Sequence, residues 1–120
     1  MDRINLREKY QQFDEHWTPK IIAELNGQYV KLAKVKGEMI WHSHAEEDEL
    51  FVVQQGTLFM DFRDRTVVIG PGEILVVPKG VEHRPRTNGE EVWLMLIEPK
   101  STKHTGEIQH ELTVQNQEWI

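Results

Sequence analysis

Apolar and polar positions along the chain fall into two regimes, a short helical one and a longer alternating one. In residues 5–16, Leu6, Tyr10 and Phe13 recur at spacings of four and three and form one apolar stripe, as on one face of a helix. Asn5 stands where an N-cap belongs, and Glu8, three residues on, completes a capping-box pattern. Pro19 stops helical structure and opens an extended segment. From Ile21 to Ile97 the apolar residues come in short β-rich runs divided by turn signals: 21–25, 29–35, 39–44, 50–54, 57–63, 66–69, 73–77 and 92–97. Asn26-Gly27, between the first two, is a hairpin signal. About eight strands at this spacing predict an all-β sandwich or barrel, and with no long helical run between them a parallel βαβ sheet is not expected. The tail from Lys100 is mostly polar but carries Ile108, Leu112, Val114 and Trp119-Ile120, so part of it is expected to pack. The expected organisation is a helical segment over 1–18, a barrel over 19–99, and a C-terminal tail over 100–120 that lies on the barrel or on a partner.

Composition narrows the picture. At 120 residues, 38% of them hydrophobic, the chain is one domain able to bury a core, and disorder is excluded for most of it. With no cysteine there is no disulfide, thiolate ligand or cysteine nucleophile, so any metal must be held by histidine or carboxylate. Fourteen Lys and Arg against twenty Asp and Glu give a net charge of -6, which argues against nucleic acid or an anionic membrane as partner. Met1 to Asn5 lacks the apolar core of a signal peptide and no run reaches membrane-spanning length, so the cytoplasm is the expected location.

The candidate chemistry lies in three places. His42 and His44, two apart on a β-like run, point to one strand face. Glu49 follows His44 by five residues and can meet both if the acidic loop 45–48 folds back as a hairpin. Asp48 is one residue out of phase, and Glu46 and Glu47 belong to the turn. His83 follows the turn Pro78-Lys79-Gly80. Three imidazole nitrogens and one carboxylate oxygen suit a divalent first-row ion and leave open positions if the ion is octahedral. Taken singly, each has an ordinary reading: a chance His-x-His, a surface histidine, a solvated acidic loop.

Together the spacings say more. Gly37-x4-His42-x-His44-x4-Glu49-x6-Gly56 resembles the first motif of the cupin superfamily, and Gly72-x5-Pro78-x-Gly80-x2-His83 resembles the second. Fifteen residues, Thr57 to Pro71, separate them, the short spacing of compact bacterial cupins. The resemblance covers residues 37–87 closely and 20–99 loosely. It implies a double-stranded β-helix, a small jelly-roll barrel with a short N-terminal helix before it, and a metal at its mouth. It maps the ligands onto His42, His44, Glu49 and His83, and the cofactor onto one divalent transition metal: Fe, Mn, Zn, Ni or Cu. Two departures stand out. Four residues rather than five precede His42, and Thr87 stands where the family often has asparagine.

Other residues are read structurally. Trp41, between metal-facing positions, is expected to face away from the metal and to pack in the core or an interface. Trp93 and Met95 share one face of the last strong strand, Leu94 and Leu96 the other, and one of these faces lines the cavity. Arg84-Pro85-Arg86 reads as a solvated loop first and an anion site second. His16, His104 and His110 lack ligand-like partners and are expected at the surface. The expected function is an enzyme acting on a small organic molecule, with dioxygenase-like chemistry favoured. A metal-dependent sugar or sugar-phosphate isomerase and a non-catalytic ligand-binding module are the alternatives. A homodimer is expected, paired through the runs 21–25 and 29–35 as edge strands.

Overall fold

The structure, a computed structural model, describes residues 1–103, 106 and 117–120. The readings of His104 and His110, and of most of the tail, lie outside the described residues. Helix α1 spans Leu6–Tyr10, with the Asn5 side chain accepting from the Glu8 amide at 3.0 Å. The predicted helix ran to residue 16, but the observed one ends in a turn at Gln11. Tertiary contacts stop it. The Phe13 carbonyl accepts from the Lys34 ammonium at 2.7 Å, and the ring sinks into the core with Tyr10. Five residues of helix have little intrinsic stability, so packing decides where the helix ends.

Nine strands follow among the described residues: β1 Lys20–Leu25, β2 Gln28–Val35, β3 Glu49–Gln55, β4 Leu58–Asp61, β5 Thr66–Ile69, β6 Ile74–Val77, β7 Arg84–Arg86, β8 Val92–Pro99 and β9 Glu118–Trp119. They form a six-stranded sheet in the order β6-β3-β8-β2-β1-β9 and a three-stranded sheet in the order β5-β4-β7. This is the expected all-β jelly-roll arrangement. Asn26 and Gly27, both at positive φ (49° and 76°), make the β1–β2 hairpin turn that the Asn-Gly signal predicts.

Three expectations are corrected. Residues 39–44 are not a regular strand; only isolated bridges, Glu38 with Arg86 and His42 with His83, tie this stretch to its neighbour. The buried residues Met39, His42 and His44 are spaced three then two apart, which breaks the alternation a ladder requires. Arg84–Arg86, read as a loop, is strand β7 paired with β4. Of the two proposed dimer edges, β2 is not an edge, since it lies between β1 and β8, while β1 is bordered by β9 only at Lys20 and Ile21.

Alternation along β8 settles which face lines the barrel. Leu94 and Leu96 are buried between the sheets with Ala33, Phe51, Val53 and Met60. Trp93 and Met95 face outward, where α1 covers them. Tyr10 stacks on Trp93 with ring centroids 4.7 Å apart, and its hydroxyl donates to the Leu94 carbonyl. The helix therefore acts as a small lid on a second core outside the barrel. Replacing Tyr10 by alanine is expected to cost about 3–4 kcal/mol, the range for deleting a buried aromatic ring. Replacement by phenylalanine, which removes only the hydroxyl, is expected to cost about 1 kcal/mol. Urea denaturation of the two variants measures both.

Candidate metal centre

The four residues singled out by spacing arrive from three parts of the chain. Glu49 opens β3. Its buried face continues through Phe51 and Val53, so strand parity alone points the carboxylate into the barrel. His42 and His83 face each other across a backbone pair in which each amide donates to the other's carbonyl, at 3.0 and 2.9 Å. The His44 carbonyl accepts from the Gly80 amide at 2.7 Å, and Asp48 accepts from the Lys79 amide at 2.8 Å. The acidic loop and the Pro78-Lys79-Gly80 turn are thereby fastened to one another. Thr87 does similar work further on. Its hydroxyl accepts from the Gly37 amide at 2.9 Å and its own amide donates to the Gly37 carbonyl at 2.7 Å.

One ligand atom from each of His42, His44, Glu49 and His83 lies within 4.8 Å of all the others, and all four residues are buried. His44 Nε2 and His83 Nε2 approach Glu49 Oε1 at 3.4 and 3.5 Å. None of these three buried atoms has a hydrogen-bond partner among the described residues. Unpaired buried polar atoms are costly, and three pointing at one another call for a shared partner. The ring orientations agree. Nδ1 of His42 and of His83 lies 2.8 and 2.9 Å from the carbonyls of Ile40 and Val81. Donation there fixes the proton on Nδ1 and leaves the Nε2 lone pair free. Burial, and then the neighbouring His83, pull the His42 pKa down to about 4, so its ring is neutral at pH 7. Three imidazole nitrogens and a carboxylate oxygen fit a divalent first-row ion.

Behind the cluster lies a group that spacing did not reveal. Glu98 sits one step past the Leu50–Ile97 pair of the β3–β8 ladder, beside Glu49, and Lys31 Nζ is 2.8 Å from its Oε1. Both Lys31 and Glu98 are fully buried. Burial and the charge of Glu49 push the Glu98 carboxyl well above the usual carboxylate range, against the pull of Lys31. Burial pushes Glu49 up as well. The proton held by Glu98 and the imidazoles of His44 and His83 outweigh that and hold Glu49 well below its ordinary range. Glu49 is thus the more readily ionised member of the pair and Glu98 the less. The missed signal was parity: Lys31 shares the inward face of β2 with Ala33 and Val35, and Glu98 that of β8 with Leu94 and Leu96.

The tail meets the cluster from the open side. Ser101 Oγ donates to Glu47 at 3.2 Å, and Lys103 and Gly106 line a cleft with His44. At Gly106 (φ +66°) a Cβ would lie 2.1 Å from the Ser43 carbonyl oxygen, so only glycine fits. His16 is outside the cluster and pairs with Glu91 at 2.7 Å. Trp41 is neither in the core nor in the cluster. It lies half-buried under the guanidinium groups of Arg63 and Arg84, 3.8 and 5.2 Å from its ring centre.

Comparison with known proteins decides the lineage. The cupin domain model Cupin_2 matches residues 28–98. The chain belongs to the cupin family. This cupin is 48% identical to a cupin-2 domain containing protein of Shewanella frigidimarina, whose crystal structure superposes with a TM-score of 0.79 over 81% of this chain and 94% of that one. Protein NMB1881 from Neisseria meningitidis is 36% identical, with a TM-score of 0.74 over 82% of this chain and all of that one. A curated relative, the uncharacterized protein YdbB of Bacillus subtilis, is 45% identical over 67 residues, 55% of this chain and 59% of that protein. The cupin thus spans about three-fifths of the length of YdbB. No helix among the described residues is long and apolar enough to cross a membrane.

The anion-site reading of Arg84 and Arg86 finds an internal anion instead. Asp61, buried on β4, accepts from Arg86 Nε at 2.7 Å, Arg84 Nη2 at 3.0 Å and the Thr66 hydroxyl at 2.7 Å. Burial raises the Asp61 pKa, but these hydrogen bonds outweigh it and bring the value down from 3.8 to about 2. A depressed carboxyl stabilises the fold above its unfolded pKa, and that stability is lost as pH falls from about 4 to about 2. Replacing Asp61 by asparagine is expected to cost about 2 kcal/mol at pH 7 and to flatten the fall in stability between pH 4 and 2. Denaturation at pH 7, 4 and 2 measures both.

Proposed function

We propose that this cupin binds one divalent first-row transition metal through His42, His44, Glu49 and His83 and acts there on a small organic molecule, with dioxygenase-like chemistry. The observation that carries the reading is the set of buried, unpartnered donor atoms on His44, Glu49 and His83, with the His42 ring neutral beside them. Such an ion supplies Lewis acidity and, where it is redox-active, access to O2. The chain's own groups prepare for it. The Ile40 and Val81 carbonyls hold two of the rings in place, and Glu49 ionises more readily than Glu98 behind it.

Arg84 and Arg86 are already engaged by Asp61, which weighs against the sugar-phosphate isomerase alternative. Pairing into a homodimer belongs to the proposal too, without the interior strand β2 as an edge. Light scattering at micromolar concentration is expected to give twice the chain mass.

Elemental analysis of protein purified without a nickel step tests the metal. A stoichiometric content of iron, manganese, nickel or copper is expected. Replacing His44 or Glu49 by alanine is expected to lower it by at least about tenfold, the low end of what losing a group behind a ligand already costs. Replacing His16 by alanine is expected to leave it unchanged. Equal metal content in all three variants would refute the assignment. Oxygen uptake by the iron-loaded protein on candidate substrates tests the chemistry.

A further inference from the structure

A partly open chamber of about 40 Å³ runs into the barrel beside the donor cluster. His42 and Glu49 form its polar end. The rest of its wall is apolar, with Met39, Phe51, Leu94 and Trp17 prominent. No lysine or arginine lines it among the described residues. An anionic group placed there would lose its hydration with no counter-charge in return, so a phosphate or carboxylate tail is excluded. The volume holds about three water-sized groups, well short of the roughly 150 Å³ that takes benzene.

Trp17 is the unusual part of the wall. Its backbone sits at φ +58°, a left-handed conformation that a bulky residue adopts only when its surroundings impose it. Two hydrogen bonds do so. Its amide donates to the Lys34 carbonyl at 2.9 Å, and its indole Nε1 donates to the Lys36 carbonyl at 2.9 Å. The ring is thereby held against the barrel core. A residue kept in a strained backbone by bonds at both ends marks a place where side-chain position matters.

We propose that Trp17 is the specificity-determining wall of this chamber, which takes the short, uncharged apolar end of an organic ligand whose polar end meets the donor cluster. The ligand's apolar part is then an unbranched or singly branched group of a few carbons, and an aromatic ring is shut out by the indole. This deepens the proposed function and rests on it for the ligand's polar end only. The chamber itself can be probed without metal.

The probes are xenon, benzene and inorganic phosphate, added to metal-stripped and to metal-loaded protein carrying ¹³C-labelled Met, Leu and Ile methyl groups. In the wild type, xenon is expected to shift the methyl signals of Met39, Leu94 and Leu96, while benzene and phosphate leave them in place. Trp17→Asn tolerates the left-handed backbone and removes the ring, and Trp17→Phe shortens it. Benzene is expected to shift the same methyls in both variants and to bind Trp17→Asn at least about tenfold more tightly than the wild type, the scale on which pocket contacts discriminate. If Trp17→Asn does not fold, Trp17→Phe alone decides. Benzene binding equally to the wild type and to a folded variant would overturn the proposal. So would the absence of any xenon shift at these methyls, or a phosphate shift there. Loss of metal binding with the xenon and benzene pattern intact would defeat the metal assignment and leave the chamber standing.

Discussion

The structure turns on the burial of an ionised carboxylate, that of Glu49, at one end of an otherwise apolar barrel. Removing a carboxylate from water costs several kcal/mol even after relaxation, so the groups around it have to repay that cost. Glu98 with Lys31 backs it within the barrel, and the unpaired Nε2 atoms of His44 and His83, 3.4 and 3.5 Å from its oxygen, leave the rest to a bound cation. The backbone exchange between His42 and His83 brings two donor rings from distant parts of the sequence into one cluster.

Much of this was legible in the sequence, for reasons that can be named. The hairpin at Asn26-Gly27 and the inward turn of Glu49 depend on local rules, a turn dipeptide and a period of two, and both hold. The four donors were found because the two motif spacings match a family; either motif alone would have carried little. What failed was context-dependent. Residues 39–44 looked like a strand because they are β-rich, yet burying Met39, His42 and His44 at uneven spacing prevents a ladder. The helix ended early because Phe13 was needed elsewhere. Arg84 and Arg86 looked available for a ligand because Asp61, more than twenty residues away, is invisible as their partner until the sheet is closed.

Lys31 and Glu98 are the instructive omission. Their parity with Ala33 and Leu96 shows them inward only once the structure fixes which face of β2 and β8 lines the barrel. A charge in an inward position is either an error in phase or a sign that the core contains something polar to answer it.

The wall supplied by Trp17 and Pro19 lies before residue 28, where the match to the cupin family begins. The donors lie after it. Two of the chamber's walls thus stand outside the family match, while the four donors and the rest of the wall stand inside it. In this barrel the wall can vary at Trp17 and Pro19 without changing any residue that carries a donor.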